Sequence, residues 1–176
     1  MIIIGKGSQA KVIASQYSPT TKILLYPRKK GLKGIRMKFK RLSTWHTHFM
    51  VGIGRSDKRK AVYDYIIQNK LSEPYEHPSN MRNIGKGTFI GSGVITIGVD
   101  TLVGDNVLIN TGVIIEHDCK IGNHATIGPG AILCGKVEVG EGAFIGAGAI
   151  IGPKVKIKPW EVISAGERVL RKDREE

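Results

Sequence analysis

Ile109-Asn110-Thr111-Gly112-Val113-Ile114-Ile115-Glu116-His117-Asp118-Cys119-Lys120-Ile121-Gly122-Asn123-His124-Ala125-Thr126-Ile127-Gly128 contains Ile109, Ile115, Ile121 and Ile127, each six residues after the last. Outward from this stretch the beat runs back through Val103 to Ile97. It runs forward through Leu133, Val139, Ile145, Ile151 and Ile157 to Ile163. Glycine follows most of these residues, and a small residue stands two before each, as Val113, Cys119, Ala125 and Ala131 do. A helix repeats every ~3.6 residues and a strand every ~2, so neither generates a strict six. A hexapeptide repeat does. Each unit forms one flat face of a triangular coil, and three units close one turn of a parallel β-helix. The expected fold is therefore a β-solenoid with the aliphatic residue inside the prism and the small residue near a corner. The glycine is expected to relax the backbone at the turn.

At 176 residues the chain has room for this repeat and one small companion. Residues 1–72 lack the beat and read as a small α/β domain. Residues 1–4 are an expected strand, Gly5-Lys6-Gly7-Ser8 a turn and 9–15 a helix. Residues 22–26 and 48–53 read as strands, and 57–69 as a helix with Ala61, Tyr65 and Ile66 on one face. A breaker-rich linker covers 73–83, the β-helix 84–165 and a charged tail 166–176. Early units begin at Ile84-Gly85 and Ile90-Gly91, and one extra residue at Thr96 shifts the phase, which predicts a bulge there.

The formal net charge is +12, and Arg28, Lys29, Lys30, Lys33, Arg36, Lys38, Lys40 and Arg41 crowd one segment. Such a cluster suits nucleic acid, an anionic membrane surface, phosphorylated small molecules or plain solvation. Aromatics near it are few (Tyr26, Phe39, Trp45), which argues against a base-stacking platform and specific nucleic-acid binding. No apolar run approaches the ~18 residues of a membrane span. The opening Met-Ile-Ile-Ile-Gly is too short for a signal-peptide core and has no basic flank. Cys119 and Cys134 both lie inside the repeat, so a disulfide scaffold is not expected and a cytoplasmic setting is. A short prism exposes broad faces and an open strand edge, and association side by side as a homotrimer is the expected remedy.

The chemistry is expected where the repeat yields. Glu116 replaces the customary glycine and sets His117 beside two carboxylates, Glu116 and Asp118. Imidazole accepts protons near neutral pH, and an adjacent carboxylate fixes its tautomer. Gly135 follows eighteen residues later, one coil up the same edge, where a bare backbone N–H can meet a developing oxyanion. Asn110 offers an amide to orient His117 or the substrate. His124 lacks a carboxylate neighbour and reads as surface or interface packing. A metal shared between subunits needs a close histidine pair and a third ligand, which the regular coils do not supply, so no metal is expected. His46 and His48 alternate on one strand face without a third ligand. The Gly5-Lys6-Gly7 turn before a helix suits phosphate, but the dinucleotide fingerprint is incomplete.

Several stretches together resemble the PglD/NeuD-like sugar acetyltransferases of the hexapeptide left-handed β-helix superfamily, with a Rossmann-like N-terminal domain. They are the opening Ile-Gly-Lys-Gly turn, Phe49-Met50-Val51-Gly52-Ile53-Gly54, Arg59-Lys60-Ala61-Val62-Tyr63 and His77-Pro78-Ser79. Most specific is Ile109-Asn110-Thr111-Gly112 running into Ile115-Glu116-His117-Asp118-Cys119-Lys120-Ile121-Gly122. The resemblance implies transfer of an acetyl group from acetyl-CoA, as co-substrate, to a sugar, often an amino sugar linked to a nucleotide. It makes His117 the general base, Asp118 its orienting acid and Gly135 the N–H donor to the thioester carbonyl. It puts CoA near Ala147 and Ala165, with Thr126 at a further cofactor position where relatives carry a second histidine. Gly5, Gly7 and Gln9 would meet the nucleotide end of the acceptor. O-acetylation of a sialic acid or surface glycan is the nearest alternative. A basic β-solenoid scaffold or polyanion-binding trimer is the non-enzymatic one.

Overall fold

The computed structural model describes residues 1–5, 7–17, 22–24, 48–77, 83–94 and 96–170. Lys6, residues 25–26, the basic segment at 28–41, His46, linker residues 78–82 and the tail at 171–176 lie outside the described residues. The chain forms two compact units, Met1–Glu76 and His77–Glu176. Among the described residues no helix is long and apolar enough to cross a membrane.

The first unit is a parallel sheet of β1 (Ile2–Ile4), β2 (Lys22–Leu24), β3 (His48–Val51) and β4 (Glu73–Pro74) in the order β2-β1-β3-β4. All three isoleucines of β1 are buried, as a central parallel strand requires. Helix α1 (Ser8–Ser15) follows β1, and α2 (Ser56–Gln68) follows β3. A side chain at Gly52 would stand 2.7 Å from Ala10 Cα, so α1 reaches the sheet only over glycine. The residues expected to be linker at 73–74 instead pair as β4 with β3, Phe49 opposite Pro74. An edge strand tolerates proline because its N–H is not needed.

Helix α2 buries Arg59, Val62, Tyr63 and Ile66, an i, i+3, i+4, i+7 stripe. Ala61, expected on the inner face, is exposed. The missed member is Arg59, 1% exposed, whose Nη1 donates to the Ile53 and Gly54 carbonyls at 3.0 and 3.2 Å. Burial pulls its guanidinium down to about 10, still charged at neutral pH. Ile66 is buried and Tyr65 packs against the same core, so the expected face is right there, and Arg59 escaped it because a cation does not register in an apolar pattern.

The second unit is a parallel β-solenoid of about four turns with three flat faces. One face stacks β7 (Leu102–Val103), β10 (Lys120–Ile121), β13 (Glu138–Val139) and β16 (Lys156–Ile157). The next stacks β5 (Phe89–Ile90), β8 (Leu108–Ile109), β11 (Thr126–Ile127), β14 (Phe144–Ile145) and β17 (Val162–Ile163). The third stacks β6 (Thr96–Ile97), β9 (Ile114–Ile115), β12 (Ile132–Leu133), β15 (Ile150–Ile151) and β18 (Arg168–Val169). Ile115 pairs with Ile97 below and Leu133 above, the eighteen-residue step of the repeat. The aliphatic column from Val103 to Ile163 and the small residues beside it form one buried core. Burying each such side chain stabilises by roughly 1.5–3 kcal/mol.

Two details depart from the sequence reading. Ile90 pairs with Ile109, nineteen residues on, whereas Ile97 pairs with Ile115, eighteen on. The extra residue therefore sits in the connection before β6, and Thr96 itself lies in the strand. At the other end the coils run past Ala165, since Arg168–Val169 pairs with Ile150–Ile151. The pattern looked finished there because Glu161 and Glu167 occupy slots held elsewhere by small residues. Above them no further coil follows among the described residues, and their carboxylates take other partners. Glu161 accepts from Lys158 N–H at 2.7 Å and Glu167 from Ser164 N–H at 2.8 Å, closing edge donors that a next coil would otherwise bond. Replacing both by alanine is expected to lower stability by about 1 kcal/mol each. It should also promote concentration-dependent association through the freed edge. Urea unfolding and sedimentation measure the two effects.

The corners are β-turns whose third residue takes a positive φ, every six residues: Asn106, Gly112, Asp118, His124, Gly130, Lys136, Gly142 and onward. The glycines that directly follow the aliphatic residues, Gly98 and Gly122 among them, do not have positive φ. They are there for close approach. A side chain at Gly98 would collide with the His117 amide nitrogen and lie 2.5 Å from the Glu116 carbonyl carbon of the next coil. The relaxation expected of them belongs to the residue two further on.

Candidate active site

The turn Glu116-His117-Asp118-Cys119 joins the third face to the first. Asp118 takes its positive-φ position (φ 58°), which aspartate tolerates better than most side chains. That conformation brings its Oδ2 within 2.7 Å of His117 Nδ1. The hydrogen bond from His117 holds the Asp118 carboxyl below the usual aspartate range against the cost of desolvation, helped by the charges of His117 and Lys136. The pair's contribution to stability is present above the ordinary aspartate pKa and is lost as pH falls through the lowered one. An ionised carboxylate only accepts, so Nδ1 carries a proton, and in the neutral ring Nε2 presents a lone pair.

Nε2 faces Gly135. A side chain there would lie 2.6 Å from Nε2 and 2.8 Å from Cε1, so the ring occupies the space that only glycine leaves open. The Lys136 N–H donates to the His117 carbonyl at 2.9 Å and docks the two turns together. The Gly135 N–H has no acceptor among the described residues. A histidine oriented by a carboxylate and an uncommitted N–H donor thus share one edge of the prism. The carboxylate of Glu116, the second acid beside His117 in sequence, is exposed and has no partner among the described residues.

The remaining sequence candidates lie elsewhere. Asn110 sits on the edge between the second and third faces, its Nδ2 donating to the Ile127 carbonyl at 3.3 Å. Ala147 and Ala165 share that edge on successive coils, tied by Gly166 N–H to the Ala147 carbonyl at 2.8 Å. Thr126 lies in β11 between Leu108 and Phe144 and is 2% exposed. His124 is buried on the edge between the first and second faces, its Nδ1 2.9 Å from Asn106 Nδ2. Gly5, Gly7 and Gln9 belong to the first unit. Gly7 is the open N-cap of α1, and the Gln9 Nε2 is buried without a partner among the described residues. One chain therefore unites His117, Asp118 and Gly135 but keeps Ala147 and Ala165 on a different edge. Among the described residues no cluster of three or more His, Cys, Asp or Glu is arranged to hold a metal, and both cysteines are free.

The bacterial transferase hexapeptide (six repeats) family matches residues 100–135 and 121–153. PerB from Caulobacter crescentus, whose crystal structure holds CoA and GDP-perosamine, is similar to this chain. The TM-score is 0.75 at 27% identity, over 96% of this chain and 90% of that one. The acetyltransferase domain of PglB from Neisseria gonorrhoeae, in complex with acetyl coenzyme A, gives 0.67 at 18% identity over 97% and 92%. WeeI from Acinetobacter baumannii gives 0.54 at 17% over 96% and 93%. At the latter two identities the likeness is one of fold. No curated protein matches the chain. The repeat and the coils just described are similar to those of the bacterial transferase hexapeptide family, whose match spans residues 100–153. The chain is thus similar to acetyltransferases, including one described as a GDP-perosamine N-acetyltransferase.

Proposed function

We propose that the chain transfers the acetyl group of acetyl-CoA to the amine of a nucleotide-linked amino sugar. The observation that carries this reading is His117 Nε2, freed by Asp118 and set over Gly135 beside an unspent N–H. The amine nitrogen bonds to the thioester carbonyl carbon, the C–S bond breaks, and the amine proton passes through His117 Nε2 to the departing thiolate. Asp118 stabilises the imidazolium in between, and the Gly135 N–H meets the oxyanion. PerB, similar over nearly the whole chain, holds CoA and GDP-perosamine, which supports both substrates.

Association as a homotrimer would bring the Ala147–Ala165 edge of one subunit to the His117 edge of another and explain why a single chain keeps them apart. The nucleotide end of the acceptor is assigned to Gly5, Gly7 and Gln9. They stand at the carboxyl end of β1, where the strand order turns from β2 to β3. The deciding experiment is thiol release from acetyl-CoA with a panel of nucleotide-linked amino sugars, GDP-perosamine among them, against the same sugars bearing hydroxyl in place of amine. Release with an amine and not its hydroxyl counterpart is expected. Release with hydroxyl acceptors alone would make the chain an O-acetyltransferase. No release with any acceptor overturns the reading.

A further inference from the structure

Most corner turns of the solenoid close on themselves. Ala125 N–H donates to the Gly122 carbonyl at 3.4 Å, Ala131 to Gly128 at 3.2 Å and Ala143 to Gly140 at 3.2 Å. Two successive turns on the His117 edge are bridged differently. In the turn 116–119 the hydroxyl of Thr101, from the coil below, donates to the Glu116 carbonyl at 2.9 Å and accepts from the Cys119 N–H at 3.1 Å. In the turn 134–137 the Cys119 thiol donates to the Cys134 carbonyl at 3.2 Å, with the Val137 N–H beside its sulfur. In each case a side chain stands between the two backbone groups that bond directly elsewhere. One turn carries His117 and Asp118, the other Gly135 and Lys136.

We infer that Thr101 and Cys119 are positioning residues for acetyl transfer, set into the two turns that present the base and the Gly135 N–H. Both side chains belong to residues at most 1% exposed, so neither touches a substrate. Each wedges its turn open, and the opening sets where the His117 ring and the Gly135 peptide stand. The two act in series, because the N–H that Thr101 holds is that of Cys119 itself. Each turn also keeps a non-glycine residue at positive φ, Asp118 (58°) and Lys136 (64°), a conformation that needs surrounding support. Thr88 makes the same bridge into the turn 104–107, donating to the Gly104 carbonyl at 2.8 Å and accepting from Val107 N–H at 3.0 Å. That turn carries none of the reacting groups, so Thr88 serves as an internal control.

This inference rests on the reading of His117 and Gly135 given above, and its test separates the two. Thr101→Val and Cys119→Ala place residues already found in this inward column, at Val107 and Ala125, so the coils should still form. If one variant does not fold, the other carries the test alone. Crystal structures of the variants should show the direct bonds, Cys119 N–H to Glu116 carbonyl and Val137 N–H to Cys134 carbonyl, with the His117 ring displaced. With an acceptor that supports thiol release, kcat should fall at least about tenfold, since small misplacements of a reacting group carry such losses. KM for acetyl-CoA should stay within about twofold. Thr101→Ser and Cys119→Ser should recover most of the loss, and Thr88→Val should match the unmodified chain in kcat. Unmoved turns in the variant structures, or wild-type kcat in both variants, overturn the inference. If the unmodified chain releases no thiol with any acceptor, the proposed function fails, and the turn geometry of the variants decides this inference by itself.

Discussion

Replacing His117 by alanine is expected to lower kcat by about 10²–10⁴-fold, the range that a positioned base supplies. The side chain is 57% exposed, and its ring bonds only Asp118 among the described residues. Stability should therefore change by no more than ~0.5 kcal/mol, as for other surface substitutions. Tm and oligomeric state should match the unmodified chain. Steady-state kinetics with acetyl-CoA beside a thermal melt make the comparison. Undiminished kcat would remove His117 from the mechanism, and a collapsed Tm would make its role structural.

Gly135→Ala is the second large effect, and it gains meaning beside Gly98→Ala. At Gly135 the new Cβ meets the far end of an exposed side chain, the His117 imidazole, at 2.6 Å from Nε2. The ring can swing away, so the fold should survive while the base leaves its place. A shift of about 1 Å in a reacting group costs on the order of 10²-fold, and kcat should drop by at least that. At Gly98 the Cβ meets the backbone of Glu116 and His117, which cannot swing. That substitution should cost roughly 1–3 kcal/mol of stability or more, as overpacking does. The expected pair is thus a folded, slow Gly135→Ala and an unstable Gly98→Ala. A Gly135→Ala variant with normal kcat would mean that ring position over this glycine is irrelevant to turnover.

Much of this arrangement was legible in the residues. The six-residue beat identified the prism and the eighteen-residue step put His117 under Gly135, because a repeat with no insertion turns sequence distance directly into height along an axis. What escaped the reading were features with no periodic signature. Arg59 is a cation on the inner face of α2, and its partners are the Ile53 and Gly54 carbonyls. Thr101 and Cys119 passed as merely small residues, since only atomic distances show a hydroxyl or thiol between an N–H and a carbonyl. The glycines after each aliphatic residue were assigned the wrong task. Glycine serves both positive φ and close approach, and composition does not tell the two apart.

By itself the sequence determined a hexapeptide solenoid, its register, and an irregular unit, Glu116-His117-Asp118, that sets a histidine between two carboxylates. Its physical basis is local and repetitive: one aliphatic residue per face, buried the same way in every coil. Only the tertiary structure decided which of the two carboxylates holds the imidazole. The left-handed conformation of Asp118 folds its side chain back onto Nδ1, while Glu116 points to solvent. It also decided that Ala147 and Ala165 stand on a different edge from His117, since a triangular prism separates residues by the corner they occupy.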